Sequence, residues 1–180
     1  MARPSLSPAL VLLSLLAVSA RAETYRIDAD QSSVTFTARL AGHAVPGTFG
    51  KFSGTVTFDP AHPEKMAAEA KIDAASISTK KEARDHHLLT PDYFDAARFP
   101  ELTFHSRSAQ AGPDGDVELT GDLTIKSTTK SVVLKVHPTG PRRWEGKTTV
   151  NRKDFGVTHD ALSDRVIGDT VEVTLEIQAK

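Results

Sequence analysis

Most of the chain alternates apolar and polar residues with a period of two, the pattern of β-strands that bury one face. The clearest stretch is residues 33–40, where Val34, Phe36 and Leu40 alternate with serine, threonine and arginine. The same pattern predicts strands at residues 25–28, 48–58, 66–77, 116–126, 131–137, 144–151 and 170–178, with another starting near residue 102. Turn-forming residues separate these stretches, so neighbouring strands are expected to pair as antiparallel hairpins. Loops or turns are predicted at residues 42–47, 59–63, 111–114, 127–130 and 138–141.

About eight such strands, none with obvious edge protection, favour a closed barrel over a sandwich. The predicted fold class is therefore all-β, an eight-stranded antiparallel barrel with one inserted helix. Its inward positions mix small residues with large ones such as Phe104 and Leu119. The small ones are Ala38, Gly54, Ala68, Ala70 and Gly121. Two interpretations stay open, tight interdigitation or an apolar tunnel, because a barrel of this size is either filled or holds one small ligand.

The period changes at residues 80–89, which contain no Gly, Pro or β-branched residue and so favour a helix. Thr79 and Glu82 have the spacing of a capping box, with Thr79 as the N-cap. Pro91 is expected to end the helix, because the residue before a proline avoids helical geometry.

This helix is amphipathic, and two roles are open to it. Leu88 and Phe94 belong to an apolar edge that would plug one end of the barrel. Arg84, Asp85 and His87 belong to a polar run that would either contact a ligand head group or form a hydrogen-bonded network at the helix end.

Residues 1–22 have the features of a cleaved export signal. Arg3 supplies a positive start, residues 9–18 are apolar, and Ala20-Arg21-Ala22 is a small-residue cleavage site. The apolar run is too short to span a bilayer. Residues 23–180 then form one domain, and the expected location is the periplasm or the exterior of a bacterial cell.

Composition narrows the chemistry further. The chain has no cysteine, which excludes disulfides and thiol chemistry. Its formal charge of −1 and its lack of a basic run argue against nucleic acid as a partner. No glycine-rich nucleotide motif is present.

The histidines of the chain are candidates for catalytic or metal-binding roles as well as for structural ones. The histidines are His43, His62, His86, His87, His105, His137 and His159. They form no HExxH motif, and there is no GxSxG elbow for a serine hydrolase. No catalytic residue, cofactor or metal ligand is predicted. A small hydrolase using a His/Asp/Ser set and a metal-binding protein using dispersed histidines remain the alternatives.

The motifs taken in order resemble those of the YceI-like family. They are Tyr25-Arg-Ile-Asp, Phe52-Ser-Gly-Thr-Val, Arg84-Asp-His-His-Leu-Leu-Thr-Pro-Asp-Tyr-Phe-Asp, Phe99-Pro-Glu-Leu-Thr-Phe, Gly121-Asp-Leu-Thr-Ile, Thr129-Lys and Arg152-Lys-Asp-Phe-Gly. The resemblance covers nearly all of residues 23–180. In the last motif, Phe155 is expected to pack into the barrel rim.

The resemblance implies a lipocalin-like barrel that holds a long apolar molecule, namely a polyisoprenoid, an isoprenoid quinone or a fatty-acid derivative. It favours the tunnel over solid packing, and cargo would be exchanged through transient membrane contact. A homodimer is left open. With the strand phases above, the expected apolar lining is Phe36, Phe52, Phe58, Ile72, Leu88, Phe94, Leu102, Phe104, Leu119, Leu123, Leu134 and Val173. The possible head-group contacts are Arg84, Asp85 and His87.

Overall fold

The computed structural model describes residues 22–158 and 165–180. Within them, eleven strands form one antiparallel sheet, and the α-helix α1 (Glu82–Leu88) lies between the sixth and seventh strands. The strands are β1 (Glu23–Arg26), β2 (Ser33–Leu40), β3 (His43–Phe49), β4 (Phe52–Phe58), β5 (Ala67–Asp73), β6 (Ile77–Ser78), β7 (Glu101–Ala111), β8 (Val117–Ile125), β9 (Thr128–Gly140), β10 (Arg143–Asn151) and β11 (Thr170–Gln178). No helix in these ranges is long and apolar enough to cross a membrane.

The eleven strands group into eight longer ones. β1 and β2 are successive pieces of one kinked strand, since β1 pairs with β4 while β2 pairs with β3. In the same way, β3 and β4 are pieces of a second kinked strand and β5 and β6 are pieces of a third, since β4 pairs with β5 while β3 pairs with β6. When each of these three kinked strands is counted once, together with β7 to β11, eight strands pair in chain order. The predicted antiparallel arrangement is therefore confirmed, whereas the strand count differs, since the described residues form eleven separate strands in place of eight.

The last strand joins the first, which closes the sheet into a barrel. β11 pairs with β2 from Glu172↔Thr37 to Glu176↔Ser33. Beyond β11, the Arg26 N–H donates to the Lys180 carbonyl at 3.1 Å, and the Lys180 N–H donates back at 2.8 Å. The all-β barrel class is confirmed.

The predicted loop at residues 42–47 is wrong beyond Gly42, because residues 43–47 lie in β3. The turn that precedes it is short, with Ala41 and Gly42 both in the left-handed region at φ 49° and 79°. Pro46 is tolerated because β3 pairs with β6 only at Thr48 and Phe49, which leaves the other edge of β3 unpaired at Pro46.

Two other turns are shorter than predicted. β9 begins at Thr128 and continues to Gly140, through most of the stretches 127–130 and 138–141. Lys126 and Arg142 adopt left-handed φ values of 54° and 57° and make the tight turns instead. The prediction of one strand at 66–77 is right in its period, but a 3₁₀ turn at Ala74–Ser76 interrupts it.

The inserted helix is confirmed, whereas its predicted capping box is wrong. α1 begins at Glu82, its N-cap is Lys81, and no side chain caps it. Lys80 takes a left-handed φ of 60°, which separates Thr79 from the helix. Thr79 instead donates to the Asp85 carboxylate through its backbone N–H at 2.8 Å and its hydroxyl at 2.5 Å.

Candidate functional site

The barrel interior is divided into two apolar clusters. The lower cluster consists of the buried residues Val56, Met66, Val117, Leu119, Leu134, Val136, Trp144 and Ala179 with Tyr25, Ile27, Phe58, Ala68, Phe104, Ala109, Leu175 and Ile177 packed against them. The upper cluster, on the side of α1, has the buried residues Val34, Phe49, Ala74, Ile77, Tyr93, Leu102, Ile125, Val150, Phe155 and Val157. Its partly buried members are Phe36, Phe52, Ile72, Leu88, Leu89, Phe94, Ala96, Leu123, Val132, Ile167, Val171, Val173 and Leu175.

The two clusters differ in how tightly they are closed. In the lower one, Val117 and Leu119 are 0% exposed and Trp144 is 3% exposed. Among the described residues, the upper one has thirteen partly buried apolar side chains packed against it, and the lower one has eight. Apolar surface that stays partly accessible is surface that a ligand can cover with a gain in free energy. The upper half is therefore the candidate site.

All of the predicted lining residues lie in one cluster or the other. The upper cluster contains Phe36, Phe52, Ile72, Leu88, Phe94, Leu102, Leu123 and Val173. The lower cluster contains Phe58, Phe104, Leu119 and Leu134. The structure thus brings the first set together beneath α1 and places the second set in the closely packed floor. Contact with a ligand remains a prediction for the first set.

The glycines on the strands show whether small residues interdigitate with large ones or leave an apolar tunnel. A Cβ on Gly121 would lie 2.6 Å from Cζ of Phe104, and a Cβ on Gly47 would lie 2.2 Å from Cζ of Phe36. Both glycines are therefore covered by aromatic rings. At Gly121 interdigitation is right, and the small residue does not open a tunnel; Gly47, which the sequence placed in a loop, is covered in the same way.

An aromatic path links the segment after α1 to the interior. The Phe94 ring meets Phe49 edge-on at a centroid distance of 6.0 Å, and Phe49 lies 5.6 Å from Phe36. Leu88 packs on the same cluster. Leu88 and Phe94 thus both pack against the upper cluster, and their role as a plug stays a prediction.

Arg84 and Asp85 are held in a network around Thr79. Arg84 donates through Nε to the Thr79 hydroxyl at 2.7 Å and through a terminal nitrogen to the Thr79 carbonyl at 2.9 Å. Desolvation raises the pKa of Asp85, but hydrogen bonds from Thr79 and Ser78 and the Arg84 charge outweigh it, so the pKa lies below its ordinary value. Of the two roles left open, the structure shows the network for these residues.

His87 is the remaining head-group candidate. It is exposed, and its ring meets Tyr93 edge-on at 5.1 Å between centroids. It stands at the upper end, beside the residues that close the barrel. Head-group contact by His87 remains a prediction.

Several of the other histidines pair with separate carboxylates. His62 lies 2.9 Å from Asp59, His105 lies 3.0 Å from Glu69, and His137 contacts Asp116 at 2.5 Å. His86 lies 4.0 Å from Glu82, and His159 is outside the described residues. In residues 22–158 and 165–180, no three His, Cys, Asp or Glu side chains converge as metal ligands would.

Sequence reasoning missed the role of Arg152. This side chain is 6% exposed and donates to the carbonyls of Val157 at 2.8 Å, Gly168 at 3.0 Å and Ile167 at 3.1 Å. It therefore fastens residues 152–157 to residues 167–169 at the upper rim. Phe155, as predicted, packs into the upper cluster at 2% exposure. Nothing in the sequence distinguishes this buried arginine from a surface one.

A model of the YceI-like domain matches residues 25–179. The chain belongs to the YceI-like family. A UPF0312 protein of Ectopseudomonas mendocina is 34% identical and is covered over 94% of each chain. A UPF0312 protein of Shewanella putrefaciens is 32% identical, with 88% of this chain and 90% of the relative covered.

Several solved structures share this architecture. Burkholderia cenocepacia BcnA is 26% identical with a TM-score of 0.79, covering 84% of this chain and 98% of that one. Campylobacter jejuni YceI protein is 26% identical with a TM-score of 0.65, covering 76% and 85%. A polyisoprenoid-binding domain from Saccharophagus degradans matches at 20% identity and a TM-score of 0.63, covering 87% and 98%, a likeness of fold.

Proposed function

We propose that this YceI-like protein binds a long apolar molecule, a polyisoprenoid, an isoprenoid quinone or a fatty-acid derivative, in the upper half of its barrel. The observation that carries the proposal is the series of partly buried apolar side chains beneath α1, among them Phe36, Phe52 and Leu123. The family relationship and the polyisoprenoid-binding domain that shares the fold support this ligand class.

The chemistry of the site supports binding rather than catalysis. Arg84 and Asp85 are engaged with Thr79, and the charged pairs of His62, His105 and His137 lie apart from the upper cluster on turns and strand faces. The groups that surround the upper cluster are therefore mainly apolar. Such a surface recognises chain length and apolar area, with little polar selection.

The energetics favour a carrier. Each CH₂ group that leaves water gains about 0.8 kcal/mol, so a long chain is held firmly against water. A bilayer is equally apolar, so moving the chain from a membrane into the barrel changes the free energy little. Cargo could then be exchanged with membranes by transient contact. Residues 1–22 support export to the periplasm or the cell exterior, where such a carrier would act.

The proposal is tested with protein expressed with its own residues 1–22 and purified from the bacterial periplasm. Native mass spectrometry followed by organic extraction is expected to show a co-purified isoprenoid or acyl lipid. After delipidation, the protein should take up a long-chain polyprenol or fatty acid at micromolar concentrations. Protein that is empty and refuses both probes contradicts the proposal. Cleavage after Ala22 is read from the mass of the purified chain.

A further inference from the structure

The barrel wall is incomplete between two neighbouring strands. β9 and β10 pair from Arg143↔Gly140 only as far as Lys147↔Lys135. Above that level β10 continues paired with β11 as far as Asn151↔Thr170, and β9 continues paired with β8 down to Thr128. The two strands therefore stop pairing over the upper half of the barrel, where the 3₁₀ turn Arg152–Phe155 also packs against β9.

A side chain replaces the missing ladder at the lower edge of this separation. The Thr148 hydroxyl donates to the Val133 carbonyl at 2.8 Å. This carbonyl would otherwise be expected to accept from the backbone of a continuing ladder. One side-chain hydrogen bond, rather than a run of backbone hydrogen bonds, joins the two strands here. Breaking one such bond costs less free energy than breaking a run of them.

A groove of about 570 Å³ lies at this position on the barrel wall. It is lined by Val133, Lys135, Lys147, Thr148, Thr149, Glu172, Val173 and Thr174. Val133 is 45% exposed, whereas Val173 belongs to the upper cluster. The groove thus lies on the outer surface beside Val133 and also borders Val173, a member of the upper cluster.

We propose that the separation between β9 and β10 is a lateral portal through which the long apolar ligand passes between the exterior and the upper cluster. This inference rests on the proposed function. A chain entering there would lie on Val133, displace the Thr148 hydroxyl from the Val133 carbonyl and reach Val173. Lys135 and Lys147 face each other across the last rung below the separation, and their methylene stems offer further apolar surface to the chain.

The balance of charges at the groove suits an apolar ligand chain better than a charged ligand. Lys147 pairs with Glu145 at 2.5 Å, and Glu172 adds a second carboxylate to the lining. With Lys135 the positive and negative charges balance, so the groove has no net attraction for an ion. An apolar chain needs no such attraction, since it gains free energy from the area it removes from water.

The test is a reversible disulfide across the separation. If the β9–β10 ladder continued in register, Thr149 would lie opposite Val133. The chain has no cysteine, so the double variant Val133→Cys/Thr149→Cys has a single possible bridge. The matched control is Val133→Cys/Thr120→Cys, because Thr120 is the register partner of Val133 on the intact β8–β9 side. Uptake of a fluorescent fatty acid is followed by stopped flow, and the amount bound at equilibrium is measured separately.

The bridge across the separation is expected to slow uptake about tenfold or more, equivalent to about 1.4 kcal/mol in the barrier, and reductant should restore the rate. The β8–β9 bridge should leave the rate unchanged. If bridging Val133 and Thr149 leaves both uptake and release at the wild-type rate, the portal is wrong and access is through the α1 end. If the wild-type protein binds no probe at equilibrium, the proposed function fails instead.

A second variant covers the case in which the bridge does not form. Val133→Cys labelled with a bulky maleimide places an obstacle at the groove, and Ser53→Cys with the same label places it on the exposed face of β4. Slower uptake with the first label alone supports the portal. Equal uptake with the two labels overturns it.

Discussion

The ring of Phe104 lies over the backbone of Gly121, so close that a Cβ on residue 121 would come within 2.6 Å of its Cζ atom. Phe104 and Gly121 belong to neighbouring strands, where Phe104 pairs with Leu123 and the ring reaches along the strand to the glycine. The missing side chain at residue 121 is thus part of the packing of the barrel floor.

Gly121→Ala is therefore expected to destabilise the protein by about 1–3 kcal/mol, the usual cost of overpacking a core. The added Cβ would also meet the His105 carbonyl at 2.6 Å, so moving the ring alone does not relieve the clash. Urea denaturation followed by circular dichroism measures the change. The control is Gly140→Ala, whose Cβ has its nearest neighbour at 4.0 Å; a loss as large in the control would contradict this account.

A larger side chain should lower the stability of the protein in the lower cluster but lower ligand uptake in the upper cluster. Leu119→Trp is expected to cost several kcal/mol, since Leu119 is 0% exposed in a packed floor. Leu123→Trp, in the partly accessible upper cluster, should keep most of the stability while lowering ligand uptake about tenfold or more, because the indole fills the space that a ligand needs. Thermal melts and the equilibrium binding of a polyprenol separate the two effects. Uptake that Leu123→Trp leaves unchanged would place the ligand elsewhere.

Asp85→Asn is expected to destabilise the protein by about 1–2 kcal/mol, because the amide oxygen still accepts from the buried Thr79 but loses the charge that strengthens both hydrogen bonds and attracts Arg84. Glu82→Gln is the matched control on the same helix and should change stability by less than about 0.5 kcal/mol, since Glu82 is exposed and caps nothing. A large loss of stability in Glu82→Gln would instead indicate that Glu82 takes part in the capping box that the sequence suggested.

The same carboxylate gives stability a pH dependence. The pKa of Asp85 is lower in the folded protein than its ordinary value, so its contribution is fully present above the unfolded pKa, near pH 4, and is lost as the pH falls through the folded pKa. The difference in unfolding free energy between wild type and Asp85→Asn should therefore shrink as the pH is lowered from 7 to 3. A difference that stays constant over this range would contradict the assignment.

Arg152→Lys is expected to cost about 2–4 kcal/mol, because an ammonium cannot reach the separate carbonyls that the guanidinium holds, and buried acceptors left unpaired are expensive. Local unfolding should be seen as faster hydrogen exchange at Phe155 and Val157, which the arginine keeps against the upper cluster. Arg107→Lys is the control, since Arg107 is exposed and pairs with Asp122 on the surface. Equal effects for the two substitutions would show that Arg152 acts as a surface charge.

Local sequence was sufficient for the strand periods. The alternation at residues 33–40 and 170–178 determined which side chains face inward, and all of the expected lining residues do lie in the apolar clusters. The helix was also readable, since residues 82–88 lack breakers and Pro91 follows. A barrel with one inserted helix follows from these periods and the turn residues between them.

Features that depend on an unusual local backbone conformation or on contacts between separate segments were not readable. Thr79 resembled an N-cap until the left-handed Lys80 redirected it to Asp85, and Pro46 resembled a loop residue because an unpaired strand edge leaves no mark in the sequence. Arg152 could be recognised only once residues 157, 167 and 168 surrounded it. The early end of the β9–β10 ladder was equally hidden.

The sequence by itself determined the faces of the strands, because a period of two forces every inward residue to one side. Only the tertiary structure decided which inward residues make a packed floor and which leave room. That choice depends on how rings such as Phe104 and Phe36 fit over glycines of neighbouring strands, and on where strands such as β9 and β10 stop pairing. Both are contacts between segments that the chain brings together only when the barrel closes.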